Sequence, residues 1–372
     1  MIQPIRVLHV VQRMEAAGVQ TLLMNLYRNI DKSKVQFDFL VHYQKSQFFD
    51  DEIQAMGGQI YRFSVREDYN FIKYSRSLRN FFKEHPEYRI VHGHMHSLGV
   101  LYLKAAANNG VPVRIAHSHN NSTQNDMKKF IKTMMIKRYA KYATDLMACS
   151  EAAGKYMFGD VDFRVINNAI DSEKFVFDKE TRLKKRRELR IENKFVIGSV
   201  GRFEMQKNQK FSVCVFEQYL RKDSDAVLLL IGSGSMDKEV REFVAAKGLT
   251  DKVLFLGVRS DVAQLYQAMD VFLMPSLFEG LGIVGVEAQA AGTPVVCTDT
   301  LPHEIDITPL VSRVSLAEPA EVWADAVERS SLNTLCHSDM RDYIKAADYD
   351  IRSLAAWFQD YYIDKYFHGN ER

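Results

Sequence analysis

The chain has 372 residues, of which 47% are apolar and 26% charged, with a formal net charge of +2 at neutral pH. That length supplies two domains of ordinary size with substantial cores, the composition is that of a soluble globular protein, and so small a net charge gives no bulk electrostatic case for nucleic-acid binding. The four cysteines, Cys149, Cys214, Cys297 and Cys336, lie far apart without metal-ligand spacing, which fits reduced thiols in a cytosol. No apolar run approaches the roughly 20 residues of a membrane span. Met1 leads almost directly into a strand, so no signal peptide is expected and the expected location is cytoplasmic.

In chain order, Arg6–Val11 reads as a buried strand. A loop through Gly18 follows, then an amphipathic helix from Val19 with Leu22, Leu23 and Leu26 on one side. Strands at Gln36–His42 and Gln59–Phe63 alternate with helices at Phe48–Met56 and Phe71–Lys83. Arg89–Val91 runs into His92-Gly-His-Met-His96, and Val113–Ala116 runs into His117-Ser-His-Asn120. Alternating strands and helices predict a parallel sheet with right-handed crossovers, whose ligands sit outside the strand carboxyl ends. Both histidine clusters fall there. Alternate histidines of a strand share a face, so His92, His94, His96, His117 and His119 have a geometry open to zinc. No carboxylate or cysteine of matching spacing accompanies them, and a structural role is expected for most, with no metal.

Asn125–Ala143 is a basic amphipathic helix, read either as a solvated charged face or as a face that docks peripherally on anionic lipid. Asp145–Ser150 and Asp162–Asn167 complete the first sheet. Asp178–Glu192, rich in Lys and Arg without interleaved aromatics, reads as a solvated helix at the domain boundary. A second strand series then starts: Phe195–Val200, Ala226–Ile231 into Gly232-Ser-Gly234, Val253–Leu256 into Gly257-Val-Arg259, and Val271–Met274. A further strand near Leu310–Val314 and helices from Pro319 follow, the last being the aromatic-rich Ile351–Phe367.

The stretch after Val271–Met274 carries the chemistry. Glu279-Gly280-Leu281-Gly282 opens a helix that stops at Gly292 before a buried strand at Pro294–Val296. A helix start offers unpaired N–H groups and partial positive charge, and glycines admit a ligand closely, so a diphosphate fits there. Glu287 lies about five residues into the helix, roughly 7–8 Å along at ~1.5 Å per residue. One ligand with its diphosphate on the helix start would reach both acids with flanking sugars. Arg202 and Lys207 flank the turn after Phe195–Val200, within reach of phosphate oxygens.

Pro275–Cys297 resembles the E-x7-E signature of retaining nucleotide-sugar glycosyltransferases of family 4, which have the GT-B fold. Gly201-Arg202 through Lys207 resembles that family's G-R-x-x-x-x-K string. The loop through Gly18 resembles its G-G-x-E loop, with Ala17 and Gln20 departing from the pattern and Gly18 carried over. Asn167-Asn-Ala-Ile-Asp171 resembles its interdomain N-G-x-D. The resemblance spans almost the whole chain and is strongest from Gly201 to Val296. It implies an α/β GT-B architecture of two Rossmann-like parallel-sheet domains facing a central cleft: residues 1–170 on the acceptor side, 171–345 binding the nucleotide sugar, and 346–372 a helix crossing back to the first domain.

It further implies that Glu279 contacts the donor sugar, Glu287 the ribose, Arg202 and Lys207 the diphosphate, and the segment at Arg259 the base, with Gly280, Leu281 and Gly282 at the helix start. His119, with His117 as the alternative, contacts the sugar near the reacting carbon. The expected activity is retaining, metal-independent hexosyl or N-acetylhexosaminyl transfer from a UDP-sugar to a glycan or lipid-linked acceptor, as in bacterial capsular and exopolysaccharide synthesis. No cofactor is expected beyond the nucleotide-sugar substrate, and no metal, since Asp223-Ser-Asp225 precedes a strand instead of following one. Alternatives are a GDP-sugar transferase, a nucleotide-sugar 2-epimerase and a non-catalytic GT-B partner subunit.

Overall fold

The computed structural model describes residues 3–15, 18–65, 70–95, 98–119 and 139–369. The chain divides into two compact units, residues 1–170 with 350–372, and residues 171–349.

The first unit runs β1 (Ile5–Val10), α1 (Gly18–Asn29), β2 (Val35–Val41), α2 (Asp50–Ala55), β3 (Ile60–Arg62), α3 (Phe71–Glu84), β4 (Ile90–Gly93), α4 (Gly99–Asn108), β5 (Val113–Ser118), β6 (Asp145–Ala148), α5 (Glu151–Phe158) and β7 (Arg164–Val165). All strand pairs are parallel, in the order β3-β2-β1-β4-β5-β6-β7. Successive strand residues enter opposite cores, as the period of two requires. Val7 packs with α1 and the C-terminal helix (Ile351–His368), whereas Leu8 packs with α3, α4 and α5. The aromatic run of the C-terminal helix is core: Phe358 and Tyr362 are buried against β1 and β4.

The second unit runs α6 (Ser172–Phe175), α7 (Lys179–Leu189), β8 (Val196–Val200), α8 (Gln209–Tyr219), β9 (Val227–Ile231), α9 (Asp237–Ala246), β10 (Val253–Gly257), α10 (Val262–Ala268), β11 (Val271–Met274), α11 (Ile283–Ala290), β12 (Val295–Thr298), β13 (Val311–Val314), α12 (Ala320–Ser331) and α13 (Arg341–Ala346). Its sheet is also wholly parallel, ordered β10-β9-β8-β11-β12-β13. α8, α9 and α12 share one core, while α11 packs with α6 and α10.

One expectation is corrected here. The Lys/Arg-rich helix at the boundary is not solvated all round, because Lys185 and Arg186 are buried. Arg182, Lys185 and Arg186 fall on one side of α7 at i, i+3 and i+4. Arg182 and Arg186 both grip Asp270, just before β11, and Asp270 also accepts the N–H of Val196 at the start of β8. Lys185 pairs with Asp261 at 2.8 Å and Glu188 at 2.6 Å. Composition alone could not reveal these partners, which come from 75 or more residues downstream in the case of Asp261 and Asp270. The predicted strand at 162–167 shortens to two residues at the sheet edge. Of the basic segment 125–143, residues 125–138 lie outside the described residues, as does His96. Among the described residues, no helix is long and apolar enough to cross a membrane.

Candidate active site

In the second sheet the strand order reverses between β8 and β11, and their helices α8 and α11 leave toward different cores. Such a switch point opens a crevice at the strand carboxyl ends. The loops after β8 and β11 meet there and are stitched together by backbone and amide bonds. Leu277 donates its N–H to the Gln206 carbonyl at 2.8 Å, the Gln206 amide donates to the Phe278 carbonyl at 2.8 Å, and the Asn208 amide donates to the Pro275 carbonyl at 3.2 Å. Asn208 has φ +54°, a left-handed conformation that Asn tolerates better than most residues. From the other side, Gly232-Ser-Gly234 after β9 presses on the β8 loop. A Cβ on Gly232 would come within 2.0 Å of the Gly201 carbonyl oxygen, and one on Gly234 within 2.4 Å of that of Phe203. This glycine pair is an interlock between strand-end loops and not merely a tight turn.

On this frame Lys207 meets Glu279, Nζ to Oε1 at 2.6 Å, with the Glu279 side chain 8% and the Lys207 side chain 18% exposed. Glu287, in the fifth position of α11, accepts a hydrogen bond from the Tyr266 hydroxyl at 3.0 Å. Burial pushes the Glu287 carboxyl up to about 7, against the opposing pull of the Tyr266 bond and the Lys207 charge. Burial, with Glu287 adding to it, raises the Tyr266 hydroxyl well above its ordinary value. One ammonium thus acts on both acids. Gly282, with φ +87°, makes the turn into α11 in a left-handed conformation that other side chains rarely adopt. The first N–H groups of α11 have no partner within the helix by its geometry and give that end positive character.

Lys207, Glu279, Gly280, Leu281, Gly282 and Glu287 are therefore gathered at one place. Arg202 is exposed at the end of β8. Arg259 is not drawn into the group. It follows β10, two strands from β8, and its guanidinium pairs with both Asp261 oxygens at 2.7 Å. Gly18, the first residue of α1, is exposed, and a Cβ there would meet nothing within 4 Å among the described residues. Sequence reasoning missed Gln206, Asn208 and Tyr266. Asn directly after Lys207 was a usable left-handed signal; Tyr266, in a separate helix, carried none.

His119 belongs to the first unit, where β1, β4 and β5 end side by side. His9, His92, His94, His117 and His119 form two hydrogen-bonded rows on one face, and all five are buried. In one, His9 Nδ1 meets His94 Nε2 at 3.1 Å and His94 Nδ1 meets His119 Nε2 at 2.9 Å. In the other, His117 Nδ1 meets His92 Nε2 at 3.1 Å and His92 Nδ1 meets the Tyr362 hydroxyl at 2.7 Å. The rows lie against each other, His92 stacked on His94 with centroids 4.3 Å apart and His117 tilted by 31° against His119 at 4.1 Å. Burial pushes His9 and His117 down to about 3 and His92 and His94 well below the usual range, so these four imidazoles are neutral. Two triads, His9/His92/His94 and His94/His117/His119, bring ligand atoms within 4.8 Å. Each ring bonds to another through at least one nitrogen, while His9 Nε2 and His117 Nε2 are buried without a hydrogen-bond partner among the described residues. His9, alone in an apolar strand, was the overlooked signal.

The family descriptions "Glycosyltransferase Family 4" and "Glycosyl transferases group 1" match residues 16–174 and 181–348 respectively. The chain is 36% identical over 336 residues to a glycosyltransferase, EpsF, of Bacillus subtilis, covering 88% of each protein. It is 26% identical over 313 residues, 79% of each, to the UDP-Gal:alpha-D-GlcNAc-diphosphoundecaprenol alpha-1,3-galactosyltransferase of Escherichia coli. Among solved structures, HepE of Anabaena in complex with UDP and glucose superposes with a TM-score of 0.75 at 17% identity, over 95% of this chain and 98% of that one. With its two Rossmann-like parallel sheets, the chain belongs to the family 4-like glycosyltransferases of GT-B fold.

Proposed function

We propose that this glycosyltransferase moves a hexosyl or N-acetylhexosaminyl group from a UDP-sugar to a glycan or lipid-linked acceptor in surface polysaccharide synthesis, retaining the anomeric configuration and using neither metal nor cofactor. The observation that carries the reading is the group at the β8/β11 switch point: Lys207 paired with Glu279, its charge also felt by Glu287, beside the start of α11. An acid cannot bind phosphate, so the two carboxylates suit sugar hydroxyls, while the helix start, Lys207 and Arg202 suit a diphosphate. The uridine preference is supported by the UDP bound in HepE and the UDP-Gal named for the E. coli relative, and a lipid-linked acceptor by the diphosphoundecaprenol in that same name.

In this reading the second unit holds the donor and the first supplies acceptor-side residues. Glu279 grips the donor sugar and Glu287 the ribose, with Gly280, Leu281 and Gly282 lending backbone to the diphosphate and Arg259 lying toward the base. As the sugar–phosphate bond breaks, the leaving diphosphate gains charge, which Lys207, Arg202 and the helix dipole stabilise. The acceptor oxygen attacks on the departing face and its proton passes to the leaving phosphate, so no separate base is required. His119 orients the donor near the reacting carbon.

The test is a panel of UDP- and GDP-sugars assayed for nucleoside diphosphate release with and without a lipid-linked acceptor, and for the anomeric configuration of the product. Acceptor-dependent UDP release with retention is expected. GDP-sugar preference would overturn the donor assignment, inversion the stereochemistry, and sugar-nucleotide turnover without acceptor would indicate an epimerase.

A further inference from the structure

The two acids of the site are held differently. Glu279 is paired with a cation, Lys207, whereas Glu287 is bonded by a neutral phenol, the Tyr266 hydroxyl, which reaches its Oε2 at 3.0 Å. The sense of that bond is fixed. Burial and the neighbouring Glu287 raise the Tyr266 hydroxyl well above its ordinary value, so it keeps its proton and donates, and the carboxylate accepts. The other oxygen of Glu287, Oε1, has no hydrogen-bond partner among the described residues, and the side chain is half-buried and not sealed. Oε1 therefore keeps both lone pairs for a ligand. Tyr266 is itself fully buried and anchored twice. Its carbonyl accepts from the Thr293 hydroxyl at 2.8 Å, in the turn that follows α11, and its ring meets Phe272 of β11 edge-on, with centroids 5.4 Å apart. The phenol is thus fastened to the strand that precedes the Glu279 turn and to the turn that ends the Glu287 helix.

We infer that Tyr266 is a positioning residue that holds the Glu287 carboxylate by one oxygen and keeps the other set for the ribose hydroxyls of the donor. The inference rests on the proposed ribose role of Glu287. A fixed acceptor left without its donor in a half-buried site loses affinity, whereas a loose carboxylate can turn to water instead. The held acid therefore tells a ribonucleotide from a deoxyribonucleotide. Tyr266 also keeps the acid charged when it is needed. Burial favours the protonated carboxyl, and the Tyr266 bond and the Lys207 charge oppose it. In the proposed complex the diphosphate offsets the Lys207 charge, and the phenol is the opposing group that remains. The other elements packed on α11 add no further pull. β11 has no ionisable group and β12 only Cys297, while Glu173 and Lys174 of α6 pair with Arg341 and Asp171. In the turn at His303–Ile305, His303 pairs with Asp306 beside Glu304.

The test is calorimetric binding of UDP and of 2′-deoxy-UDP to the whole chain, with the Glu287 carboxyl titrated by carbon NMR and assigned by loss of its signal in Glu287→Gln. The guanosine pair serves if the protein binds GDP and not UDP. The wild type should bind the ribonucleotide about fivefold tighter or more. Tyr266→Phe keeps the ring and removes one oxygen. It should bring the two affinities within about twofold of each other and move the Glu287 titration, and with it the pH dependence of nucleotide affinity, to higher pH. Where the wild type discriminates, either readout unchanged in Tyr266→Phe overturns the inference. A wild type that binds both nucleotides equally overturns the ribose role of Glu287, and with it the use assigned to Tyr266, while the titration still shows whether the phenol holds the carboxylate. Should Tyr266→Phe not fold, the Tyr266 hydroxyl proton decides. Its resonance should move on Glu287→Gln, which exchanges a charged acceptor for a neutral one, and a proton that stays in place overturns the inference.

Discussion

The two sheets place very different groups at the same topological position. Where the order reverses in the second sheet, between β8 and β11, the strand ends carry opposite charges in contact, Lys207 and Glu279, with a second acid nearby. Where it reverses in the first, between β1 and β4, the strand ends carry neutral imidazoles hydrogen-bonded to one another. In the proposed reading the charged crevice opens on binding: its ammonium and carboxylate hold each other until the donor's phosphate and sugar offer each a partner. The imidazole face is built to stay as it is, since every ring it lost would strand the next one's nitrogen in a dry interior.

The contrast is tested most severely by Lys207→Ala, expected to lower sugar transfer by about 100- to 1000-fold while the thermal midpoint moves little; transfer within a few-fold of wild type would refute the site. Glu279→Gln should split binding from turnover. With Lys207 released, free nucleoside diphosphate should bind several-fold tighter by calorimetry while sugar transfer falls at least tenfold; weaker diphosphate binding would mean that the ion pair does not restrain Lys207. A smaller effect follows from Glu287, whose carboxyl titrates near 7. Only the ionised form can accept from both hydroxyls of a ribose, so nucleotide affinity should drop a few-fold as pH falls from 8 to 6, about the range around that pKa, and Glu287→Gln should flatten this dependence. The stability trend has the opposite sign. Because the folded state keeps this proton after the unfolded chain has released it, the group's contribution declines as pH rises from the ordinary glutamate range through 7. On the imidazole face, Tyr362→Phe removes one bond to His92 and should cost about 1 kcal/mol of stability with transfer near normal; a large loss of transfer would show that the second row also serves catalysis.

Much of this was legible beforehand because it is local. Strand runs, the helix stop at Gly292 and the spacing of Glu279 and Glu287 are written in contiguous residues, and the resemblance to family 4 tied them to one site. What escaped depends on residues far apart in sequence. Tyr266 reaches Glu287 across 21 positions, Gln206 reaches the Phe278 carbonyl across 72, and His9 reaches His94 across 85. The stretch Lys184–Arg187 was read as solvated; Lys185 and Arg186 are buried with Asp261 and Asp270, which lie beyond any local window. Arg259 is a different case: the resemblance to family 4 placed its segment near the base, and the fold pairs its guanidinium with Asp261.

The grip of α7 on Asp270 has a practical corollary for anyone wishing to isolate the second unit. Asp270 leads directly into β11, the strand that delivers the Glu279 turn, and its carboxylate is neutralised by Arg182 and Arg186 while also bonding the first amide of β8. A fragment cut at the first residue of β8 would leave that carboxylate without either guanidinium at the root of both loops. The excisable piece begins at Asp171, ahead of the helix that carries the two arginines.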